Sequence, residues 1–206
     1  MTLAHVSSPD AAEAPLVALL LHGYGSDERD LAGLAPYVPG AVAWASVRAP
    51  LRHPAFGYAW YALEGAEFGA QADVEAATDQ LWEWVDEALD PGAMLIPIGF
   101  SQGGMMASQL LRTRPDRVLG AAILSGYVLG AEQQGDATLS ESLPPVMWAR
   151  GTADQMIPAK AVVHAEAWLP AHATVESHIY QGMGHTVSEQ ELQHLRIFLA
   201  TLGPAT

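Results

Sequence analysis

The segment Gly99-Phe100-Ser101-Gln102-Gly103 places a serine between two glycines, after an apolar run and before a helical pattern. Such a G-x-S-x-G turn can lift the serine hydroxyl above the end of a sheet, and the glycines avoid collisions with nearby backbone. The next amide, that of Gln102, then lies at a helix N-terminus, where free N–H groups can stabilise an oxyanion. The five residues alone would also fit a flexible turn, but the strand before them and the helix after them favour a nucleophilic serine.

A serine hydroxyl needs a base to take its proton, and that base is commonly a histidine oriented by a carboxylate. With this kind of turn the order along the chain is serine, acid, histidine, each after the end of a strand. Asp154 follows the apolar segment PVMWARG, and His185 follows ATVESHIYQG. Separately, Asp154 would fit an ordinary turn and His185 a surface loop. Their order and placement predict that Ser101, Asp154 and His185 form a triad for acyl transfer.

A second oxyanion donor is expected from the loop after the strand that starts near residue 15. This loop contains His22, Gly23, Tyr24 and Gly25. We assign the donor to the backbone N–H of Tyr24, together with that of Gln102. A phosphate-binding loop is the competing interpretation, but neither G-x-x-x-x-G-K-[ST] nor G-x-G-x-x-G is present. We interpret His22 as a structural residue that forms hydrogen bonds within the loop.

The elements that must position these residues alternate between strands and helices. Apolar runs predict strands at 15–23, 40–50, 93–100, 118–126, 145–151 and 173–182. Helices are predicted at 26–38, 71–90, 102–115, 159–171 and 188–202, and long loops at 51–70 and 126–145.

Strands with little polar alternation, separated by helices, are typical of a mainly parallel sheet with helices on both faces. We predict one α/β domain over 1–206, with six or seven strands and no separate lid domain. Pro97, inside the third predicted strand, argues against that strand.

Charge and composition exclude several classes of function. The 206-residue chain has 9 Lys and Arg against 23 Asp and Glu, a net charge of -14, which disfavours nucleic acid and anionic membranes as partners. Without cysteine it has no disulfide, thiolate metal site or cysteine nucleophile. The sequence lacks H-E-x-x-H and any cluster of His and carboxylates after strand ends, so we expect no metal and no cofactor. We see neither a secretion signal nor an apolar run of membrane-spanning length, and we expect a cytoplasmic protein.

Five segments together resemble the phospholipase/carboxylesterase family of compact α/β-hydrolases, which includes bacterial carboxylesterases and acyl-protein thioesterases. The segments are LLHGYGSDERDL, GYAWYAL, IGFSQGGMMA, GTADQMIP and GMGHTVS. The resemblance runs from about residue 15 to residue 200. It implies the same triad and oxyanion donors, and a homodimer would fit it. It also implies an acyl groove lined by the 51–70 loop and the segment after Asp154, for which we choose Trp60 and Met156.

These expectations combine into a serine hydrolase that cleaves small carboxylic esters with short to medium acyl chains. Thioesters and lysophospholipids stay open as substrates within the same family. Tyr24 stands where the family often has a smaller aliphatic residue, which leaves the preferred acyl-chain length open. A non-catalytic binding protein with a hydrolase fold is the alternative from another class, although it predicts that a triad residue has been lost.

Overall fold

A computed structural model describes residues 3–53, 55–63 and 69–203 of the chain. The strands are β1 (His5–Ser7), β2 (Leu16–Leu21), β3 (Ala43–Val47), β4 (Leu51–Arg52), β5 (Tyr58–Ala59), β6 (Met94–Phe100), β7 (Ala121–Leu124), β8 (Pro145–Gly151) and β9 (Thr174–Tyr180). Seven of them form one sheet in the order β1-β3-β2-β6-β7-β8-β9. Only β1 in this sheet is antiparallel to its neighbour. The predicted mainly parallel sheet is therefore confirmed.

Helices cover both faces of this sheet. They are α1 (Glu28–Ala32), α2 (Gln71–Ala88), α3 (Gln102–Thr113), α4 (Asp136–Ser142), α5 (Ala159–His172) and α6 (Glu189–Leu202), with short 3₁₀ turns at Ala35–Tyr37 and Pro115–Arg117. One apolar core lies between the sheet and α2, α3, α4 and α5, and a second lies between the sheet and α1 and α6. In the described part of the chain, no helix is inserted as a separate lid, and none is long and apolar enough to cross a membrane.

The residues of β2 show why the central strands are continuous apolar runs. Leu19 and Leu21 point into the core under α2 and α3, while Ala18 and Leu20 point into the core under α1 and α6. All four side chains are buried. A strand that is covered on both faces has no solvent side, so it carries no polar alternation.

Three segments depart from the expected boundaries. β1 precedes the first predicted strand and pairs with β3, with His5 opposite Val47; at three residues it has too short an apolar pattern to be recognised. The 51–70 segment contains the small pair β4 and β5, while Pro54 and residues 64–68 lie outside the described residues. The 126–145 segment, expected to be a loop, contains α4.

Pro97 is accommodated inside β6 because one of the two ladders is interrupted there. β6 pairs with β2 along its length, with Leu19 opposite Pro97. On the other side it pairs with β7 only from Ile98 onward, apart from an isolated bridge at Leu95. The missing N–H of proline therefore falls at a gap in the ladder instead of breaking it.

The segment between β7 and α4 is held by a buried arginine of α3. The Arg112 guanidinium donates to both carboxylate oxygens of Asp136, at 2.8 and 2.6 Å, and to the carbonyl oxygens of Leu129 and Ala131, at 2.7 and 2.8 Å. Burial alone would raise the pKa of Asp136, but the hydrogen bonds from Arg112 hold this pKa below its ordinary value. The buried Arg112 guanidinium thus fixes the irregular segment between β7 and α4 through hydrogen bonds to its carbonyl groups and to Asp136.

Replacing Asp136 by asparagine should destabilise the fold strongly. Asp136→Asn leaves the buried guanidinium without its counter-charge, so we expect the free energy of unfolding to fall by about 3–5 kcal/mol. Asp86→Asn is the matched control, because Asp86 pairs with Arg114 at 2.8 Å on the surface. Its expected cost is at most about 1 kcal/mol. Urea denaturation followed by tryptophan fluorescence measures both variants, and equal losses would contradict a structural role for the buried pair.

A capping box at the start of α6 fixes the end of the β9–α6 loop. The Ser188 hydroxyl accepts from the Glu191 N–H at 3.1 Å, and the Glu191 carboxylate accepts from the Ser188 N–H at 3.4 Å. Glu191 is buried, and its Oε1 has no hydrogen-bond partner among the described residues. Burial raises the pKa of Glu191 to about 7, although the hydrogen bond from Ser188 opposes this shift.

The raised pKa of Glu191 predicts that the fold becomes less stable as the pH rises. Between the unfolded pKa of 4.5 and the folded pKa of about 7, the unfolded chain is ionised and the folded chain is not. The contribution of Glu191 to the free energy of unfolding is therefore complete below the unfolded pKa of 4.5. Between this pH and about pH 7 it falls by at most about 1.4 kcal/mol per pH unit. Glu191→Gln preserves the capping box and cannot ionise, so it should lose this part of the pH dependence.

Urea denaturation at about pH 5 and about pH 8 measures this difference. Glu189→Gln, an exposed change in the same first helical turn, is the control and should keep the wild-type dependence. A Glu191→Gln profile as steep as that of the wild type would show that Glu191 ionises normally in the folded protein.

Candidate active site

Ser101 lies at the joint between β6, which ends at Phe100, and α3, which begins at Gln102. Its backbone has φ 55° and ψ -116°, a left-handed conformation that a residue other than glycine rarely adopts. Such a conformation costs about 1–3 kcal/mol and persists only where the surroundings enforce it. Here the Ser101 N–H donates to the Leu124 carbonyl at the end of β7, at 2.9 Å. The sharp turn predicted from the sequence is present.

The two flanking glycines allow this turn to approach the neighbouring backbone. A Cβ on Gly99 would collide with the Gly103 carbonyl, and a Cβ on Gly103 would collide with the Leu21 carbonyl at the end of β2. Both obstacles are backbone atoms, which cannot swing away as a flexible side chain could. Glycine is therefore required at both positions by close packing and not by flexibility.

The structure brings Ser101, His185 and Asp154 into one hydrogen-bonded series. The His185 Nε2 lies 2.9 Å from the Ser101 Oγ, and its Nδ1 lies 2.7 Å from the Asp154 Oδ2. The other oxygen of Asp154 accepts from the N–H groups of Met156 and Ile157, at 2.9 and 3.2 Å. The Asp154 side chain is 5% exposed and that of His185 is 18% exposed, so the acid is shielded while the ring is reachable.

This geometry fixes the tautomer of His185. An ionised carboxylate can only accept, so the ring must carry its proton on Nδ1 and donate it to Asp154. The Nε2 is then free to accept the proton of the Ser101 hydroxyl. Phe100 packs against the imidazole with ring centroids 4.9 Å apart, which restricts its rotation. The arrangement places the His185 Nε2 within hydrogen-bond distance of the Ser101 hydroxyl.

The loops that carry Asp154 and His185 are joined directly to each other. The Thr152 N–H donates to the Tyr180 carbonyl at 3.0 Å, its hydroxyl accepts from the Gly182 N–H at 2.9 Å, and the Ala153 N–H donates to the Met183 carbonyl at 3.0 Å. Sequence reasoning missed Thr152, since only the fold brings these two loops together. These three hydrogen bonds fix the position of the loop that carries Asp154 relative to the loop that carries His185.

The two expected oxyanion donors are free to act. Among the described residues, neither the Tyr24 N–H nor the Gln102 N–H donates a hydrogen bond. Gln102 is the first residue of α3, where the N–H groups of a helix have no internal acceptor. Both residues line the same cavity as Ser101.

The Gln102 side chain has a separate role that the sequence did not indicate. Its Oε1 accepts from the Trp60 N–H and its Nε2 donates to the Tyr61 carbonyl, both at 2.7 Å. The amide thus ties the segment after β5 to the start of α3. Because both backbone groups are buried, losing this amide would leave two unsatisfied polar atoms.

Trp60 does not line the cavity as expected. Its side chain is 1% exposed, and its indole N–H donates to the His22 carbonyl at 2.9 Å. Trp60 is therefore a core residue, and its indole hydrogen bond to His22 stabilises the loop after β2. Met156, the other groove residue that we chose, does line the cavity and is 69% exposed.

His22 forms hydrogen bonds inside the loop, as we expected. Its Nε2 accepts from the Ala49 N–H at 3.0 Å, so its proton is on Nδ1, which donates to the Gly23 carbonyl at 2.7 Å. Burial lowers the pKa of His22, which keeps the ring neutral. This neutral ring shapes the loop that carries Tyr24.

The cavity beside Ser101 has a volume of about 240 Å³. Most of its walls are apolar side chains, contributed by Leu63, Phe100, Tyr127, Met156, Ile157 and Pro158. The hydroxyl of Ser101 and the ring of His185 are its reactive groups. Within the described residues, no group of three or more His, Asp and Glu side chains is placed to hold a metal ion. The site can therefore carry out nucleophilic acyl chemistry on a small apolar carbonyl compound.

Comparisons with known proteins find relatives described as carboxylesterases and as an acyl-protein thioesterase. "Probable carboxylesterase SOBER1-like" from Arabidopsis thaliana is 31% identical over 103 residues, which cover 49% of this chain and 39% of that protein. The chain thus spans less than half the length of this relative. "Acyl-protein thioesterase 1" from Kluyveromyces lactis is 27% identical, and the match covers 92% of this chain and 93% of that one.

A solved structure and a family model complete the comparison. The Bacillus cereus carboxylesterase superposes with a TM-score of 0.81 at 25% identity, over 97% of this chain and 94% of that one. This likeness confirms the α/β-hydrolase fold. The family model described as Phospholipase/Carboxylesterase matches residues 1–203. The chain therefore belongs to the phospholipase/carboxylesterase family of α/β-hydrolases.

Proposed function

We propose that the chain is a serine carboxylesterase that cleaves esters with short to medium acyl chains. The observation that carries this proposal is the hydrogen-bonded series from Ser101 through His185 to Asp154 at the wall of an apolar cavity. At about 240 Å³ this cavity lies below the range of about 300–1,000 Å³ typical of pockets for drug-sized ligands, which favours small esters. In this proposal, residues 1–206 form one catalytic domain. That two copies of the chain form a homodimer also stays a prediction.

In the proposed mechanism, the acyl group of the ester is first transferred to Ser101. The Ser101 Oγ attacks the ester carbonyl carbon while its proton moves to the His185 Nε2. Negative charge develops on the carbonyl oxygen, where the N–H groups of Tyr24 and Gln102 stabilise it. Asp154 stabilises the imidazolium and keeps it in position. The C–O bond to the alcohol then breaks, the imidazolium returns its proton to the leaving oxygen, and the acyl group stays on Ser101.

Deacylation repeats the same steps with water. The His185 Nε2 takes a proton from water, whose oxygen attacks the acyl carbonyl. Collapse of the second tetrahedral intermediate breaks the bond to the Ser101 Oγ, which regains its proton from the imidazolium. A carboxylic acid leaves, and the enzyme returns to its starting state with no cofactor.

A thioester is the second candidate substrate, because the Kluyveromyces lactis relative is named as an acyl-protein thioesterase. A thiolate leaves more readily than an alkoxide, so the same residues would serve. Hydrolysis of a matched oxoester and thioester with the same butyryl group separates the two activities. The ratio of the two kcat/KM values then names the preferred leaving group.

Replacing Ser101 by alanine should abolish ester hydrolysis. With p-nitrophenyl acetate, butyrate, octanoate and palmitate, in the presence of EDTA, we expect kcat to fall by about 10⁴–10⁶-fold. Asp154→Asn should cost about 10⁴-fold, because the ring then adopts the wrong tautomer. Wild-type turnover should be highest on the shorter esters, since the cavity is small.

Ser125→Ala is the matched control for Ser101→Ala. Ser125 also follows a strand of the same sheet and also has a positive φ, 44°, but its hydroxyl has no hydrogen-bond partner among the described residues. It should keep wild-type kcat, and a fluorophosphonate should label Ser125→Ala as readily as the wild type but should not label Ser101→Ala. Labelling or turnover that survives Ser101→Ala would refute the proposed nucleophile. Stable folding with no labelling of the wild type would indicate a binding protein.

A further inference from the structure

One end of the cavity beside Ser101 is acidic, in contrast to its apolar walls. Ser26, in the loop after β2, and Asp30, in α1, line the same cavity as Ser101 and His185. The Ser26 hydroxyl donates to the Asp30 Oδ2 at 2.7 Å, which orients the carboxylate. The Asp30 Oδ1 accepts no hydrogen bond within the described part of the chain. A carboxylate with a free oxygen therefore lies at the edge of the reaction chamber.

The two neighbouring carboxylates have positively charged or helix-capping partners, whereas the hydrogen bond that Asp30 accepts comes from the neutral Ser26 hydroxyl. Glu28 accepts from the Arg48 guanidinium at 2.6 and 2.7 Å, and Asp27 accepts from the Arg29 N–H at 2.8 Å as the N-cap of α1. By contrast, no lysine or arginine of residues 3–53, 55–63 and 69–203 forms an ion pair with Asp30. The negative charge at this end of the cavity is therefore left uncompensated.

Two further features favour a cation at this end. The exposed ring of Tyr24, at 39% exposure, lines the same cavity, and an aromatic face attracts an ammonium group. The chain as a whole has a net charge of -14, which draws positively charged molecules towards its surface. A carboxylate and an aromatic ring that line the same cavity can both attract an amine or a quaternary ammonium.

We propose that Ser26, Asp30 and Tyr24 select esters that carry a positively charged amine or ammonium group, and that Asp30 determines this specificity. The hydrocarbon part of such an ester would contact the apolar walls near Leu63 and Met156. This inference rests on the proposed esterase function. Asp30 is exposed, so its attraction is screened by water and salt. In a water-like dielectric, an ammonium about 4 Å from the Asp30 carboxylate corresponds to a kcat/KM about fivefold higher for the charged ester than for its neutral analogue.

The test compares two esters of the same shape. Butyrylcholine carries a quaternary ammonium, and 3,3-dimethylbutyl butyrate has a carbon in place of its nitrogen. For the wild type at low salt, the kcat/KM of the charged ester should be higher by about fivefold, and high salt should reduce this ratio. In Asp30→Asn the ratio should fall to the smaller preference that the Tyr24 ring supports alone. In Ser26→Ala the ratio should fall part of the way, because the carboxylate stays but loses its orientation.

Asp27→Asn is the matched control. It removes the same charge three residues away, asparagine caps a helix as well as aspartate, and Asp27 does not line the cavity. Its ratio should stay at the wild-type value. An equal fall in Asp27→Asn and Asp30→Asn would overturn the proposal, because the effect would then come from the general negative field. A wild-type ratio of one or less would also overturn it.

A binding measurement separates this proposal from the esterase proposal. Ser101→Ala cannot form an acyl-enzyme, so titration of this variant with each ester, followed by ligand NMR, reports binding alone. Tighter binding of butyrylcholine that is lost in the Ser101→Ala, Asp30→Asn double variant supports the cation site. Equal binding of the two esters overturns it. If the wild type hydrolyses neither these two esters nor the p-nitrophenyl esters, the esterase proposal fails, and the binding result still decides the cation proposal.

Discussion

The close approach of the β6–α3 turn to the end of β2 is the constraint on which the site depends. Gly103 permits this contact with β2, and Gly99 lets the turn close on the Gly103 carbonyl. Within this tight turn Ser101 has a positive φ, which packing must sustain. The strained turn raises the serine hydroxyl above the sheet and leaves the Gln102 N–H at the start of a helix. Everything else in the site is arranged around one atom whose position is set by backbone packing.

The surrounding loops are positioned by backbone hydrogen bonds to a few polar side chains. Thr152 joins the loop of Asp154 to the loop of His185, and the Gln102 amide ties the segment after β5 to α3. His22 connects the loop of Tyr24 to the residue after β3 through the Ala49 N–H. Gln102 and His22 satisfy buried backbone groups that would otherwise cost stability, so these two side chains both position the site and stabilise the fold. The Thr152 hydrogen bond to Gly182 is exposed and joins the two loops at the surface.

The sequence predicted the parts of the molecule that have a local signal. Apolar runs marked the buried strands, and Ser101 and Asp154 could be chosen because each follows such a strand. His185 follows the more polar and largely exposed edge strand β9. β1 and α4 were missed because short elements have no periodicity, and α4 depends on a distant partner, Arg112. Trp60 was misplaced because an aromatic residue in a loop can face either a groove or the core. Its indole N–H found an acceptor only in the folded chain, at the His22 carbonyl.

The carboxylates of this acidic chain fall into groups with different consequences. Asp136 and Glu28 are paired with arginines, which hold the pKa of each below its ordinary value and tie loops to the core. Glu191 is buried without a cation, so burial raises its pKa to about 7. Asp30 is exposed at the cavity and forms no ion pair with a lysine or arginine among the described residues. Carboxylates that stabilise the fold are thus paired with arginines, whereas the Asp30 carboxylate at the cavity beside Ser101 has no such partner among the described residues.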